Sequence, residues 1–346
     1  MNQPLVAVVI LNYNGKKLLQ QFMPSVIANS PGAVICLADN ASTDDSVAFV
    51  KQEYPQVQVI ASKENYGFAK GYNEALKHVQ ADYYVLLNSD VEVTPHWLEP
   101  AIAEMEANRE VAAVQPKILA YTEKDSFEYA GACGGFIDKY GYPFCRGRLF
   151  NDLEKDTGQY NDTAEIFWAT GACLFVRADV FREMKGFDES YFAHMEEIDL
   201  CWRIKNTGHT IKVVPASVVY HLGGGTLNKI SPRKTFLNFR NNLVTFTKNY
   251  PNGNWFFVLW ARLALDGVAG LKFLLEGKPA HTWAVVRAHW TYYFTLGRTL
   301  RKRKENKRLP GYAASFRSFY MGNIVLEFYL RGKRKFSQLA KEKFSA

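Results

Sequence analysis

Apolar runs and helical stripes alternate along residues 6–88 of the chain. Residues 6–11 (VAVVIL) form an unbroken, β-branched apolar run that ends at Asn12-Tyr13-Asn14-Gly15. A run without polar alternation predicts a strand buried on both faces. Residues 16–29 carry Leu18, Leu19, Phe22, Val26 and Ile27 at helical spacing and stop near Pro31-Gly32. Residues 33–38 predict a second strand. A helix opens at Thr43-Asp44-Asp45-Ser46 and closes at Pro55, and residues 57–61 predict a third strand. Residues 69–79 follow as a helix and 83–87 as a fourth strand. Strands alternating with helices of this length predict an α/β fold with a parallel sheet covered on both faces. Ligands of such sheets sit beyond the carboxyl ends of the strands, so the polar loops there carry the candidate chemistry.

Beyond residue 110 the pattern changes. Residues 111–119, 166–176 and 211–220 read as strands, while 122–163 is long, glycine-rich and aromatic and predicts a mobile active-site flank. From residue 229 the chain becomes helical, basic and aromatic. Residues 255–275 are interrupted by Arg262, Asp266 and Lys272, and residues 279–300 by Arg287, so neither stretch predicts a membrane span. The polybasic run 301–308 (RKRKENKR) follows directly, and aromatic helices beside such a run predict an anchor at a membrane surface.

Composition sharpens this division. Of 346 residues, 48% are hydrophobic and 22% charged, which excludes a disordered or collagen-like chain. The net charge of +8 splits into −10 over residues 1–228 and +18 over residues 229–346. An acidic working region (residues 1–228) with a basic, surface-seeking region (229–346) is therefore expected, its partner an anionic membrane or a nucleic acid. Cys36, Cys133, Cys145, Cys173 and Cys201 are odd in number and hold no CxxC pair, so they predict free thiols and no zinc site. The start of the chain has no basic, apolar and small-residue succession, which predicts no secretory leader.

Six constellations stand at the predicted loops. Asp39 follows the second strand too early to cap the next helix, and an acid there can accept hydrogen bonds from a nucleobase or ribose; Ser42, Thr43 and Asp44 fit a cap or Asx turn. Asn65-Tyr66-Gly67 allows close backbone approach before a helix N-terminus, which suits a phosphate, and a tight turn equally well. Asn88-Ser89-Asp90 ends the fourth strand, where Asp90 beside a diphosphate would hold a hard divalent cation. Glu196-Glu197-Ile198-Asp199 crowds carboxylates that raise one another's pKa toward the range of a general base, or simply opens a solvated helix. Glu196 and Asp199 share a helix face, and Asp199 and Arg203 are spaced to pair. His221 before Gly223-Gly224-Gly225 can reach a metal or diphosphate. Arg240 can clasp diphosphate oxygens or hold a helix surface.

In this order, VVILNYNG, ADNASTDD, NYGFAKGYN, LLNSD, WATGAC, GFDE, EEIDLCWR, HLGGG and FRNN resemble the inverting family 2 glycosyltransferases, in particular their bacterial rhamnosyltransferase-like branch. The likeness covers roughly residues 4–250. It implies the GT-A fold: a nucleotide-sugar half over about 1–120, an acceptor half over about 121–228, and here a C-terminal basic helical appendage. It implies that Asn12 and Tyr13 lie along the nucleotide, that Asp39 contacts the base, and that Asn65 and Gly67 add donor contacts. Asn88-Ser89-Asp90 matches the Asp-x-Asp metal motif with Asn in place of the first acid, which leaves Asp90 as the carboxylate ligand to Mg²⁺ or Mn²⁺. Gly171 and Ala172 match the small-residue strand beside the sugar, and His221 matches a histidine near the metal or diphosphate. Glu196-Glu197 matches a Glu-Asp pair whose second acid is the base, so Glu197 takes that role with Glu196 in reserve.

The implied partners are a nucleoside-diphosphate sugar, rhamnose foremost, and a saccharide or lipid-linked saccharide acceptor at the inner face of the cytoplasmic membrane. Nucleic acid is not among them. Two other readings stay open on the residues alone. One is a nucleotidyltransferase on a similar sheet, although residues 12–17 hold a single glycine for a triphosphate loop. The other is a non-catalytic basic adaptor.

Overall fold

A computed structural model describes residues 4–223, 231–251 and 253–345. The first half runs β1 (Val6–Asn12), α1 (Lys16–Asn29), β2 (Val34–Asp39), α2 (Ser46–Glu53), β3 (Gln58–Ala61), α3 (Gly67–Leu76), β4 (Tyr83–Asn88), β5 (Val91–Val93), α4 (Glu99–Ala107) and β6 (Val111–Ala120). Four short strands follow: β7 (Gly135–Asp138), β8 (Pro143–Cys145), β9 (Arg148–Leu149) and β10 (Asp152–Leu153). Then come β11 (Ala164–Ile166), β12 (Cys173–Arg177), α5 (Ala178–Glu183), α6 (Glu196–Asn206) and β13 (Thr210–His221). The basic region holds α7 (Pro232–Asn249), α8 (Trp255–Leu275), α9 (Pro279–Asn306), β14 (Phe319–Tyr320) and α10 (Ile324–Tyr329).

The large sheet has the order β11-β13-β6-β12-β4-β1-β2-β3, with β5 on β13. Strands β1 to β4 are parallel, as their helical crossovers require. The mostly parallel sheet expected turns mixed in its other half. There β12 runs antiparallel to β4 and β6, and β11 and β5 antiparallel to β13. The link 167–172 into β12 carries no crossover helix. Both faces of β1 are buried: Ala7 and Val9 pack with Tyr72 and Leu76, while Val6, Val8 and Ile10 pack with Leu19, Met23 and Val26. Register decides what meets at the carboxyl rim, because Asn12 lies beside Asp39 and Leu11 beside Asn88.

Three expectations are revised. Residues 166–176 are not one strand; a turn over 167–172 separates β11 from β12. The stretch expected to be a mobile flank is folded into a second sheet, β10-β9-β8-β7-β14, with Phe127, Ile137, Phe144 and Leu149 buried. Its glycines are spacers for aromatic rings: a Cβ on Gly135 would stand 2.1 Å from the Trp168 ring. Nor does the packing divide at residue 228. Phe246, Tyr250, Phe319, Tyr320 and Phe328 belong to the same apolar core as Phe136 and Trp202, and β14 pairs with β7. Aromatic side chains drive this closure, each burying large apolar area. Much of the basic region is thus body: Leu259 of α8 and Tyr292 of α9 join the core, and only the outer side of the α8–α9 hairpin stands away from it.

Candidate functional site

At the rim of β1 and β2 the Asn12 amide donates to Asp39 Oδ1 (2.9 Å) and Ser42 Oγ (3.0 Å). Ser42 donates its hydroxyl to Asp39 Oδ1 (2.6 Å) and its backbone N–H to Oδ2 (2.9 Å). Asn12 and Asp39 are buried. Asp39 therefore holds the turn after β2 itself, and its Oδ2 keeps one lone pair for a ligand. Asn14, at φ 51°, accepts from the backbone N–H of Thr43 (2.7 Å). Tyr13 stands exposed beside this turn. Asn65 Oδ1 accepts the Gly67 N–H (2.9 Å), and the Asn40 amide donates to the Gly67 carbonyl (2.8 Å). Gly67 sits at φ +73°, where a Cβ would come to 3.0 Å from the Phe192 carbonyl. The absence of a side chain there lets the nucleotide half touch the loop that leads to Glu196.

Beyond β4, Asn88 donates its N–H to the Ala172 carbonyl (3.0 Å), and Ser89 Oγ faces the Gly15 loop. Asp90 and His221 are brought together, with Oδ1 to Nε2 at 3.1 Å. On the other side of the ring, His221 Nδ1 lies 3.2 Å from Glu128 Oε2, in ion-pair range but without hydrogen-bond alignment. All three side chains are buried. Burial alone would lower the imidazole pKa; the hydrogen bond to Asp90 and the charges of Asp90 and Glu128 raise it to about 10. The glycines after Gly223 lie outside the described residues.

Among the described residues no three His, Cys, Asp or Glu side chains converge as a preformed metal cage. Asp90 and His221 would fit a divalent cation completed by diphosphate and water once the cation displaces the proton that His221 Nε2 shares with Asp90. Neighbouring ligands of an octahedron with bonds of about 2.1 Å lie about 3.0 Å apart, and Asp90 Oδ1 and His221 Nε2 are 3.1 Å apart. Glu128 behind the ring stands where an outer carboxylate orients a ligating histidine.

The acidic motif opens α6. The chain enters it through two consecutive left-handed residues, His194 (φ 69°) and Met195 (φ 77°). Such conformations cost about 1–2 kcal/mol each for residues with a Cβ. Asn241 on α7 holds the turn, donating to the carbonyls of Ala193 (2.9 Å) and His194 (2.7 Å). Glu196 is buried and Glu197 partly so, and each keeps one buried carboxylate oxygen with no partner. Burial raises both carboxyls, Glu197 to about 7 and Glu196 further through the neighbouring Glu197 charge. Asp199 is tied down differently, by Arg203 (3.0 Å), Lys248 (2.8 Å) and Asn249 (2.7 Å). The spacing-predicted pair with Arg203 is thus present, and Asp199 is structural.

Glu197 and Cys201 share a face of α6, and Cys201 Sγ accepts the Ala169 N–H (3.4 Å). That face of α6 meets the start of the 169–172 turn at Ala169, and the Ala172 carbonyl farther along binds Asn88. Gly171 there packs on Phe68, which a Cβ would approach to 2.9 Å. Asn88, Gly171 and Ala172 thus meet at one turn, and Asp90 pairs with His221 two residues beyond Asn88. Arg240 sits apart from Asp90; its guanidinium donates to the Ser190 carbonyl (3.3 Å) and its Nε is buried without a partner. Sequence reading missed Asn40, Glu128, His194 and the role of Asn241. Glu128 lay in the stretch read as a loose flank, and Asn241 stood next to the Arg240 that drew attention.

The sequence pattern of Glycosyl transferase family 2 matches residues 7–184. The chain is 25% identical over 236 residues to the N-acetylglucosaminyl-diphospho-decaprenol L-rhamnosyltransferase of Mycobacterium tuberculosis, covering 63% of this chain and 76% of that one. It is 26% identical over 227 residues to the rhamnosyltransferase WbbL of Escherichia coli K12, covering 63% and 83%. Among solved structures it resembles GalNAc-T7 bound to UDP, GalNAc and Mn²⁺ (TM-score 0.55, 17% identity, 71% of this chain and 48% of that one). It also resembles the mannosyltransferase PcManGT of Pyrobaculum calidifontis bound to GDP-Man and Mn²⁺ (TM-score 0.53, 15% identity, 84% and 88%). These likenesses show a GT-A-type fold. With the family pattern matched over more than half of its length, the chain belongs to glycosyl transferase family 2.

Proposed function

We propose that the protein transfers a glycosyl group from a nucleoside-diphosphate sugar to a hydroxyl of a saccharide or lipid-linked saccharide, by one displacement that inverts the anomeric centre. The observation that carries this reading is Glu197. It is a carboxylate with an unpartnered buried oxygen, raised by burial to about 7, on the face of α6 that meets the small-residue turn at Ala169. A base with that pKa is half ionised near neutrality and is matched to taking a proton from an attacking alcohol.

The acceptor oxygen bonds to the anomeric carbon as the bond from that carbon to the diphosphate oxygen breaks. The acceptor proton passes to Glu197, and the bonding pair leaves with the diphosphate. Glu196, one residue earlier, keeps the pair of acids from both ionising easily. Asn12, Tyr13, Asp39, Asn65 and Gly67 form the nucleotide side, and Asn88, Ser89, Gly171 and Ala172 the wall of the sugar pocket. Asp90 and His221 would hold Mg²⁺ or Mn²⁺, which when bound neutralises charge growing on the leaving diphosphate. Arg240, held by Ser190, would add charge from the acceptor side after a modest movement.

Both named rhamnosyltransferase relatives support rhamnose as the sugar, with a thymidine diphosphate donor tried first and uridine diphosphate sugars next. They also support a place in cell-surface polysaccharide synthesis, on the inner face of the cytoplasmic membrane where lipid-linked saccharides are extended. The test is a panel of nucleoside-diphosphate sugars read by thermal stabilisation with and without Mn²⁺, since a ligand of the folded state alone raises apparent stability. One donor should stabilise in a metal-dependent way and yield a product of inverted anomeric configuration by NMR. Stabilisation by no donor, or a retained configuration, overturns the proposal.

A further inference from the structure

Helix α8 is built inside out. Two of its charged residues face the protein: Arg262 is 2% exposed and Asp266 0%, while Lys272 near its end is exposed. Its large apolar residues face away, with Phe257 73%, Trp260 59% and Leu275 80% exposed, and Val268 and Leu271 on the same stripe. Helical spacing puts residues 257, 260, 264, 268, 271 and 275 on one side. This orientation is fixed by specific bonds. Arg262 donates to Asp266 (2.9 Å), to Asn242 Oδ1 (2.8 Å) and to the Tyr140 carbonyl (3.0 Å), and it stacks on the Tyr142 ring (3.6 Å). Rotating α8 to hide its apolar stripe would break the bonds from Arg262 to Asn242 and the Tyr140 carbonyl and from the Tyr142 hydroxyl to Asp266, leaving partly buried groups unsatisfied.

The next helix continues the surface. The α8–α9 hairpin closes through Thr282, whose hydroxyl donates to the Gly270 carbonyl (2.9 Å). Trp283, Trp290 and Phe294 are exposed on α9. Helical spacing then carries the same side into Arg298, Arg301 and Lys304, all exposed. None of these three is ion-paired among the described residues, and a single acid, Glu305, adjoins them. Glu276 at the hairpin tip is already paired with Lys272 and Lys278. No described helix is long and apolar enough to cross a membrane.

We propose that the outer face of the α8–α9 hairpin is a lipid-facing surface that lies in one leaflet of an anionic bilayer. Phe257, Trp260, Val268, Leu271 and Leu275, with Trp283, Trp290 and Phe294, enter the acyl boundary, and Arg298, Arg301 and Lys304 meet the headgroups. An aromatic stripe that runs into unpaired cations matches an interface that is apolar on one side and negative on the other. A second copy of the chain is a poorer occupant, because among the described residues the same face offers no cluster of acids to answer Arg298, Arg301 and Lys304. Apolar insertion, rather than the basic charge alone, is the main hold. The hairpin is also coupled to the acceptor side: Lys302 on α9 bonds Asp188 and Ser190, in the loop that leads to Glu196.

This inference is independent of the transfer reaction, and its test uses no sugar. The full chain is mixed with phosphatidylethanolamine–phosphatidylglycerol vesicles and sedimented at low and high salt. Parallel vesicles carry bromine on the acyl chains to quench inserted tryptophan. Expected are salt-resistant sedimentation, quenching by the brominated chains, and at least tenfold weaker binding of the combined W260S, L271Q, W290S variant. The combined R298E, R301E, K304E variant should lose only the preference for anionic over neutral vesicles. All six positions are exposed, and an unchanged melting temperature shows that the variants are folded. Complete release by salt, absence of quenching, or an apolar variant that merely turns a dimer into a monomer overturns the proposal. Failure here leaves donor stabilisation untouched, so it is distinguishable from failure of the proposed transfer.

Discussion

The two sides of the site are held in opposite ways. On the nucleotide side, polar groups bind one another: Asn12, Asp39 and Ser42 close a small network, and Asn14 caps the turn that follows. There only Asn12 Oδ1 is left without a partner. On the acceptor side, polar atoms are buried and unanswered: Glu196 Oε2, Glu197 Oε2, His194 Nε2, Arg240 Nε and Asn241 Oδ1. A buried polar atom without a partner costs about 1–3 kcal/mol, so native chains keep few of them. Their concentration beside a doubly left-handed turn marks the place where stability is given up for chemistry. The nucleotide rim is shaped before any ligand arrives, whereas the acceptor rim is completed by substrate.

The comparison breaks first at Glu197. Glu197→Gln should lower kcat about 10³-fold while donor-induced thermal stabilisation stays as in the native protein. For the native enzyme kcat/KM should fall as pH drops through about 7, because the raised carboxyl takes up a proton and can no longer accept one. The residual activity of the glutamine variant should be flat over the same range. A variant with near-native turnover, or a native profile indifferent to pH between 5 and 8, removes Glu197 as the base.

The mirror experiment is on the closed side. Asp39→Ala leaves two donors of Ser42 and one of Asn12 without an acceptor in a buried turn. It should destabilise the ligand-free protein by about 2–4 kcal/mol in urea melts. Glu197→Gln under the same conditions should cost nothing at neutral pH. If Asp39→Ala unfolds no more easily than the native chain, the rim is not self-supporting and Asp39 belongs to the ligand alone.

Much of the closed side was legible in the sequence. The strand ends at Asn12, Asp39 and Asn88 follow from apolar runs that stop at polar residues, and register does the rest. Local signals of this kind are dictated within a few residues. The open side depends on contacts far apart in sequence. Asn241 reaches Ala193 and Glu128 reaches His221 across chain segments that carry no shared period. For the same reason residues 122–163 read as a loose flank. Their strands are two to four residues long, below the length at which alternation is visible, and their sheet is completed by β14 from the far end of the chain. The outward face of α8 was hidden too. Arg262 and Asp266 looked like interruptions of an apolar helix, and the structure turns them inward.

Asn241 tests whether the strained turn is held from outside. Asn241→Ala removes two donors to the carbonyls of Ala193 and His194. We expect about 1–2 kcal/mol of lost stability. We also expect a kcat about tenfold lower with donor KM unchanged, since the turn aims Glu197 and does not touch the nucleotide. The acidic limb of the pH profile should move as well, because the environment that raises Glu197 relaxes with the turn. A variant that loses stability but keeps kcat and its pH limb would make Asn241 a packing residue only.

The smallest effect has the opposite sign. Glu196 is buried, and burial together with the Glu197 charge raises its pKa in the folded state. The unfolded chain releases that proton near the ordinary carboxyl value of about 4.3. Above this pH the folded state binds more protons than the unfolded one, so stability declines as pH rises through the interval up to the folded pKa. Glu196→Gln removes the titration. The variant should melt about 1–2 °C higher than the native protein at pH 8, and the gain should vanish near pH 4. A nucleotide-side acid such as Asp39, stabilised by three donated hydrogen bonds, permits no comparable gain: its amide variant should melt lower at pH 8. Should Glu196→Gln also melt lower there, the acid is satisfied in the folded state, and the contrast between a closed rim and an open one fails at its most exposed point.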